Sequence, residues 1–375
     1  MPLKVLSIVG TRPELIKLSC VIPALDRAFQ HVLVHTGQNY DYELNQVFFD
    51  GLGIRKPDHF LKAAGSVAVE SIANVLRFVD PVLAREAPDA VLVLGDTNSC
   101  LGVIAAKRRR IPVFHMEAGN RCYDERVPEE INRRIVDHAS DVNMPYSEHA
   151  RRCLLQEGFR PDLIVKTGSP MKEVIDTQAR AIRASMVLRD MGLKPGAYFV
   201  ASAHREENVD DPSRLRCLLD ALAEVAKRYR KPVVFSAHPR TRDRLQRLRQ
   251  RLPSGIRFIK PLAFADYIRL QTQAACTLSD SGTITEEASL LGFPAVTLRD
   301  AHERPEGMDE GTLIMCGIEA RGVLDAVAIT IERFRRKSGR ARIVLDYDVS
   351  NVSMKVVNTI QSYTGYVNRV VWRRS

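Results

Sequence analysis

Val5-Leu6-Ser7-Ile8-Val9-Gly10-Thr11-Arg12-Pro13-Glu14-Leu15-Ile16-Lys17 reads as a strand, a tight turn and the start of a helix. The β-branched run makes the strand, Gly10 permits the turn, and Pro13 suits the first turn of a helix. A helix that starts directly after a strand attracts anions at its N-terminus, and Arg12 and Lys17 flank this one. The pair is therefore a candidate phosphate grip. The turn is not a GxGxxG loop, and Gly51-Leu52-Gly53 follows no strand and lacks the third glycine, so use of a nicotinamide dinucleotide has no support.

Outward from this stretch the same pattern recurs. Short apolar runs at residues 5–9, 32–35, 90–94, 113–116, 142–144 and 163–166, then 198–202, 233–236, 257–259, 275–278 and 295–298, alternate with longer helical stretches. Several are apolar throughout, without alternation, which implies a parallel sheet covered by helices on both faces. The series appears twice, and 375 residues are too many for one average core. We expect an α/β protein with an N-terminal Rossmann-like domain at 1–170, a second at 171–351, and a helical segment at 352–375, holding the sole tryptophan, packed on a domain surface. Two open sheets of this kind, facing each other, make a cleft at the C-terminal ends of their strands. Residues just after strands are the ones that carry chemistry.

No apolar run approaches the roughly 20 residues that cross a bilayer, and the N-terminus has no signal-peptide pattern, so the expected location is cytoplasmic, without a membrane partner. Seven scattered cysteines without CxxC spacing read as reduced packing residues. The net charge of +10 suits nucleic acid, an anionic surface or a phosphorylated small ligand. Aromatics are only 6%, giving little stacking surface for nucleic acid, and Lys107-Arg108-Arg109-Arg110 reads as the last turn of a helix complementing its dipole.

Strand ends in the first half carry acids. Asp96 follows the third run, Glu117 the fourth, and Glu129-Glu130 opens a helix after Pro128. Each could equally cap a helix or pair with Arg121, Arg126 or Arg133; converging on one cleft, they could split their pKa values and supply both a base and an acid. No HExxH, EF-hand loop or His-Cys cluster competes for them, so no metal or other cofactor is expected. In the second half, His204 follows a strand beside Arg205, Glu206 and Glu207, and could donate to a phosphate or shuttle a proton. His238 is a weaker candidate. Ser279-Asp280-Ser281-Gly282-Thr283 is a strand end and turn opening a helix, where backbone N–H groups and the Ser281 hydroxyl can bind a pyrophosphate, with Glu287 placed for the vicinal hydroxyls of a ribose. Arg304 adds a cation after the next strand.

Taken together, GTRPELIK (10–17), TGQ (36–38), GDTNS (95–99), HMEAG (115–119), PEEINRR (128–134), AHREEN (203–208), SAHP (236–239), DSGTITEEA (280–288) and ERPEG (303–307) resemble the non-hydrolysing UDP-N-acetylglucosamine 2-epimerases, in order and over nearly the whole chain. The resemblance implies the two-domain GT-B fold, a homodimer, and inversion of C2 by expulsion and re-addition of UDP through a 2-acetamidoglucal. It implies Asp96, Glu117 and Glu129 as the catalytic carboxylates, and His204 as the group that stabilises the leaving UDP. Arg12, Lys17, Ser281, Gly282, Glu287 and Arg304 match UDP contacts, with Thr283 in the same loop.

The pattern departs from the commonest one at Asn39, at Asn120-Arg121-Cys122, and at Thr283, where a second glycine is usual. With TGQNYDYELN (36–45), EAGNRCYDERVPEE (117–130) and YVNRVVW (366–372), it looks more like the branch that makes UDP-N-acetyl-L-fucosamine from UDP-2-acetamido-2,6-dideoxy-L-talose for surface polysaccharide such as O-antigen or capsule. The alternatives are interconversion of UDP-N-acetylglucosamine and UDP-N-acetylmannosamine, or a glycosyltransferase on the same fold.

Overall fold

A computed structural model describes residues 2–37, 51–248, 252–336 and 341–374. Residues 38–45 of TGQNYDYELN, Gln38 and Asn39 among them, lie outside the described residues. The chain divides into two compact units, Met1–Thr177 with Asp346–Ser375, and Gln178–Leu345.

The first unit holds six parallel strands: β1 (Lys4–Val9), β2 (Gln30–His35), β3 (His59–Phe60), β4 (Ala90–Leu94), β5 (Val113–Met116) and β6 (Val142–Met144), in the order β3-β2-β1-β4-β5-β6. All five residues of β4 are buried, as an apolar strand covered on both faces requires. Leu6, Ile8, Val91 and Val93 pack with Val75, Val79 and Leu83 of the helix Ala68–Glu86, whose apolar residues recur at three- and four-residue spacing. The terminal helix Val352–Val370 packs on the helix Val21–Ala28 of this unit. Asp346 anchors the returning chain by accepting from the Glu148 amide at 2.8 Å and pairing with Lys166 at 2.6 Å.

The second unit repeats the plan with β7 (Phe199–Ser202), β8 (Val233–Ser236), β9 (Ile256–Ile259), β10 (Thr277–Ser279), β11 (Ala295–Thr297) and β12 (Ile314–Met315), all parallel, in the order β12-β11-β10-β7-β8-β9. One face buries Phe199, Ala201 and Phe235 against Leu218 and Leu222 of the helix Pro212–Tyr229 and Val323 and Val327 of the helix Ala320–Arg335. The other buries Tyr198, Val200 and Val234 against Leu270. In each sheet the chain winds outward from its first strand, then crosses back to the other side of it. The reversals fall between β1 and β4 and between β7 and β10, the places where such sheets leave room for a ligand.

The strands expected at 90–94, 113–116, 142–144 and 233–236 form over those residues. The one expected at 163–166 does not: Pro161–Leu163 is a single 3-10 turn, and Ile164 makes only one bridge, to Asn143. Pro161 directs the chain into that turn and leaves too few residues for a ladder. The two-residue edge strands β3 and β12 were not expected from the sequence. The basic run ends the helix Val103–Arg108, where Lys107 pairs with Asp141 and lies 4.8 Å from the Trp372 ring, and Arg109 pairs with Asp80 at 2.6 Å. Among the described residues, no helix is long and apolar enough to cross a membrane.

Candidate active site

The first sheet gathers acids and cations at the ends of β1, β4 and β5. Lys17, on the helix Arg12–Leu18 that follows β1, is only 4% exposed, and its Nζ lies 2.5 Å from Glu117 Oε2 and 5.5 Å from the Tyr146 ring. Glu117 ends β5 with its amide donating to Met144 O at 3.1 Å, which continues the ladder with β6, and then turns at φ +66°. That left-handed conformation is strained for a side chain with a Cβ and persists only where the surroundings impose it. Here the turn brings the Glu117 carboxylate to Lys17. Arg12 opens the helix, half-buried.

Asp96, after β4, accepts from Arg133 Nε and Nη2 at 3.0 and 2.7 Å, while Arg133 Nη1 donates to Glu130 at 2.9 Å. Arg133 is 2% exposed, so a buried guanidinium fork holds two acids of different purpose. Glu130 is structural: it accepts from the amides of Cys122 and Tyr123 at 3.0 and 3.2 Å and from Arg134 at 3.1 Å. Burial pushes its carboxyl up, but the Cys122 amide and the Arg133 charge outweigh burial and hold it below the usual range. Glu129, on the first turn of the helix Pro128–Ala139, is half-buried and has no hydrogen bond or ion pair among the described residues. The two neighbouring glutamates thus have opposite environments.

Two buried acids beneath these turns escaped the sequence reading. Glu14 accepts from the Gly10 and Thr11 amides at 2.5 and 2.9 Å and from the Thr97 hydroxyl. Burial, against those bonds and with the Asp96 charge adding to it, pushes its carboxyl up to about 7. Its only sequence signal is the capping-box spacing from Thr11. Asp137 accepts from Arg121 Nη1 at 2.7 Å and the Gly119 amide at 3.1 Å, and lies 2.9 Å from His115 Nδ1, whose Nε2 is 2.8 Å from Gly95 O. Burial raises the Asp137 pKa, and His115 and Arg121 more than reverse that, leaving it low. This cluster fixes the Gly95 and Gly119 turns on either side of Glu117.

The second sheet is built differently at its reversal. Asp280, after β10, is fully buried and accepts from the backbone amides of His204 and Arg205 at 3.0 Å each and from Asn208 Nδ2 at 3.2 Å. It clamps the turn after β7, leaving the His204 ring 40% exposed with Nδ1 3.3 Å from Asp280 Oδ1. The His204 and His238 rings lie 6.5 Å apart. Ser281 and Thr283 bond each other through their hydroxyls at 3.0 Å, and Gly282 caps the helix Thr283–Leu291. A Cβ on Gly282 would stand 2.6 Å from Glu303 Oε1, so any larger residue there requires the Glu303 carboxylate to shift. Glu303 is in turn held by Arg299 at 2.6 Å and Arg205 at 3.4 Å. Glu287 is buried and accepts from Gln271 Nε2 at 3.0 Å. Arg304, 2% exposed, has Nη2 3.2 Å from Glu286 Oε2, a partner the motif itself does not announce.

The sequence profile described as UDP-N-acetylglucosamine 2-epimerase matches residues 23–361. The chain belongs to the UDP-N-acetylglucosamine 2-epimerase family. It is an isomerase of that family, a UDP-sugar 2-epimerase, and its two six-stranded sheets are the GT-B-like pair of Rossmann-like domains found in solved family structures. A structure of UDP-N-acetylglucosamine 2-epimerase from Rickettsia bellii is 52% identical, with both chains covered in full and a TM-score of 0.92. The Methanocaldococcus jannaschii UDP-GlcNAc 2-epimerase, solved with UDP-GlcNAc and UDP, is 31% identical over 96% of this chain and 99% of its own, with a TM-score of 0.89. Substrate varies among family members: the UDP-2,3-diacetamido-2,3-dideoxy-D-glucuronate 2-epimerase of Pseudomonas aeruginosa is 34% identical over 90% of this chain and 95% of its own.

Proposed function

We propose that the enzyme converts UDP-2-acetamido-2,6-dideoxy-L-talose to UDP-N-acetyl-L-fucosamine by elimination and re-addition of UDP. The observation that carries the acid–base reading is the pairing of Asp96 with Arg133 and of Glu117 with Lys17 at the ends of adjacent strands. An opposite charge this close favours the ionised carboxylate, the state a base needs. In the forward half-reaction the C2 proton goes to a carboxylate, the C1–O bond to UDP breaks, and a C1–C2 double bond forms. In the return, a proton is delivered to the other face of C2 and a UDP oxygen attacks C1. Asp96, Glu117 and Glu129 share the proton transfers, while Arg12, Lys17, His204, the Ser281–Gly282–Thr283 turn, Glu287 and Arg304 serve UDP. Neutralising the charge that develops on the departing nucleotide lowers the barrier to leaving. The 6-deoxy-L-sugar is supported by EAGNRCYDERVPEE, by Thr283 and by the terminal YVNRVVW. The same resemblance supports a homodimer that supplies surface polysaccharide.

A second reading, epimerisation of UDP-N-acetylglucosamine, is favoured by the name carried by the 52% identical R. bellii protein. Proton NMR of the two UDP-sugars incubated with enzyme in deuterium oxide separates them. The 6-deoxy-L-sugar should turn over with kcat/KM at least about tenfold higher and acquire deuterium at C2. Preference for UDP-N-acetylglucosamine would establish the second reading, and product without deuterium would reject elimination for either substrate.

A further inference from the structure

We propose that Glu14 is a positioning residue of the first sheet's site, its one buried carboxylate tying the turn that carries Arg12 to the turn that carries Asp96. The inference rests on the roles assigned above to those two residues. A capping-box glutamate ordinarily reaches back only to the start of its own helix. Glu14 does this with Oε2, on the amides of Gly10 and Thr11, but it is 2% exposed, and Oε1 takes the hydroxyl of Thr97, 83 residues further along the chain. Thr97 directly follows Asp96, and Thr11 directly precedes Arg12. β1 and β4 are neighbours, yet the chain leaves them in opposite directions at the sheet's reversal, so no ladder bond joins the two turns. The Glu14 carboxylate supplies the bond that the sheet does not.

The tie also sets the charge beside Asp96. The titratable groups facing Glu14 are Asp96, whose charge raises the Glu14 pKa, and Cys100, whose Sγ lies 3.9 Å from Oε1 and whose thiol burial holds far above its ordinary range. When Glu14 takes a proton on the oxygen facing Thr97, Oε2 still accepts both amides and the Thr97 bond reverses direction. Position is kept in both states, while the negative charge next to Asp96 is present in only one.

The test uses the full chain, the UDP-sugar it turns over, and thermal melting of every variant. Thr97→Val removes the bond between turns but leaves the capping box, so kcat should fall about 10- to 100-fold, and Thr97→Ser, which restores the hydroxyl, should recover most of it. Glu14→Gln can accept both amides and donate its NH2 to Thr97 without titrating, so the wild-type kcat–pH profile should have an inflection near pH 7 that this variant lacks. A Thr97→Val enzyme with wild-type kcat, or a Thr97→Ser enzyme as impaired as Thr97→Val, would overturn the tie, and an inflection that persists in Glu14→Gln would overturn the charge assigned to Glu14. Absence of solvent deuterium in the wild-type product would instead overturn the elimination reading, leaving the kcat comparisons to judge the tie alone.

Discussion

The two sheets share one strand order and one reversal, and their strand ends do different chemistry. After β1, β4 and β5 the side chains are charged and paired: Lys17 with Glu117, and Arg133 with Asp96. After β7 and β10 the buried acid Asp280 is consumed in holding backbone amides and the buried Glu286 and Glu303 are taken up by arginines, while the turns themselves offer an imidazole, two hydroxyls and a glycine. Proton transfer needs ionisable groups with neighbours that set their state. A phosphate grip needs donors and close approach. The comparison teaches that the fold provides the location twice, and that the residues placed there decide what chemistry each location can do.

The sharpest way to break that division is Glu117→Gln. It keeps size and hydrogen bonding but cannot take a proton, so turnover should fall by about 10²- to 10⁴-fold while calorimetric UDP affinity stays near wild type. Equal loss of both would place Glu117 in nucleotide binding rather than proton transfer. Glu14 offers the next largest effect, on stability. Its folded pKa of about 7 stands above the ordinary 4.5, so the native state holds the proton more tightly than the unfolded chain. Wild-type stability therefore drops as pH rises through that window, and Glu14→Gln, which cannot ionise, should escape the drop. Between pH 5 and pH 8 the variant should gain about 3 kcal/mol relative to wild type in chemical denaturation of the first unit. The smallest effect belongs to the second sheet. Gly282→Ala places a methyl against Glu303, and an overpacked contact of about 1 to 3 kcal/mol should weaken UDP binding roughly tenfold with kcat at saturation little changed.

Much of this was legible in the sequence, for identifiable reasons. Strands such as β4 and β5 are short, largely apolar runs buried on both faces, and an acid, Asp96 or Glu117, follows each within two residues. The edge strands β3 and β12 have two residues each, too few for any periodicity, and the run at 163–166 lies beside β6 but, after the Pro161 turn, makes a single bridge rather than a ladder. At the site, Asp96, Glu117 and Glu129 stood out by position after strands or at a helix start. Lys17 did not stand out as the partner of Glu117, because that bond spans 100 residues, and Arg133 was one of three arginines offered to the acids, with nothing local to assign it to Asp96 37 residues away. Glu14 and Glu129 were equally visible as letters. What separates them is burial, which follows from packing and has no local signature.

The left-handed backbone at Glu117 carries an evolutionary consequence. Glycine or asparagine would sit there with less strain, so a lineage selected for folding alone has a standing reason to abandon the glutamate. Under the proposed function, the chemistry of the carboxylate is the reason to hold a glutamate there against that strain. In relatives that keep this fold but have lost the reaction, the residue aligned with 117 is where relaxed selection should show first, which makes that single position a marker of whether a family member is still an enzyme.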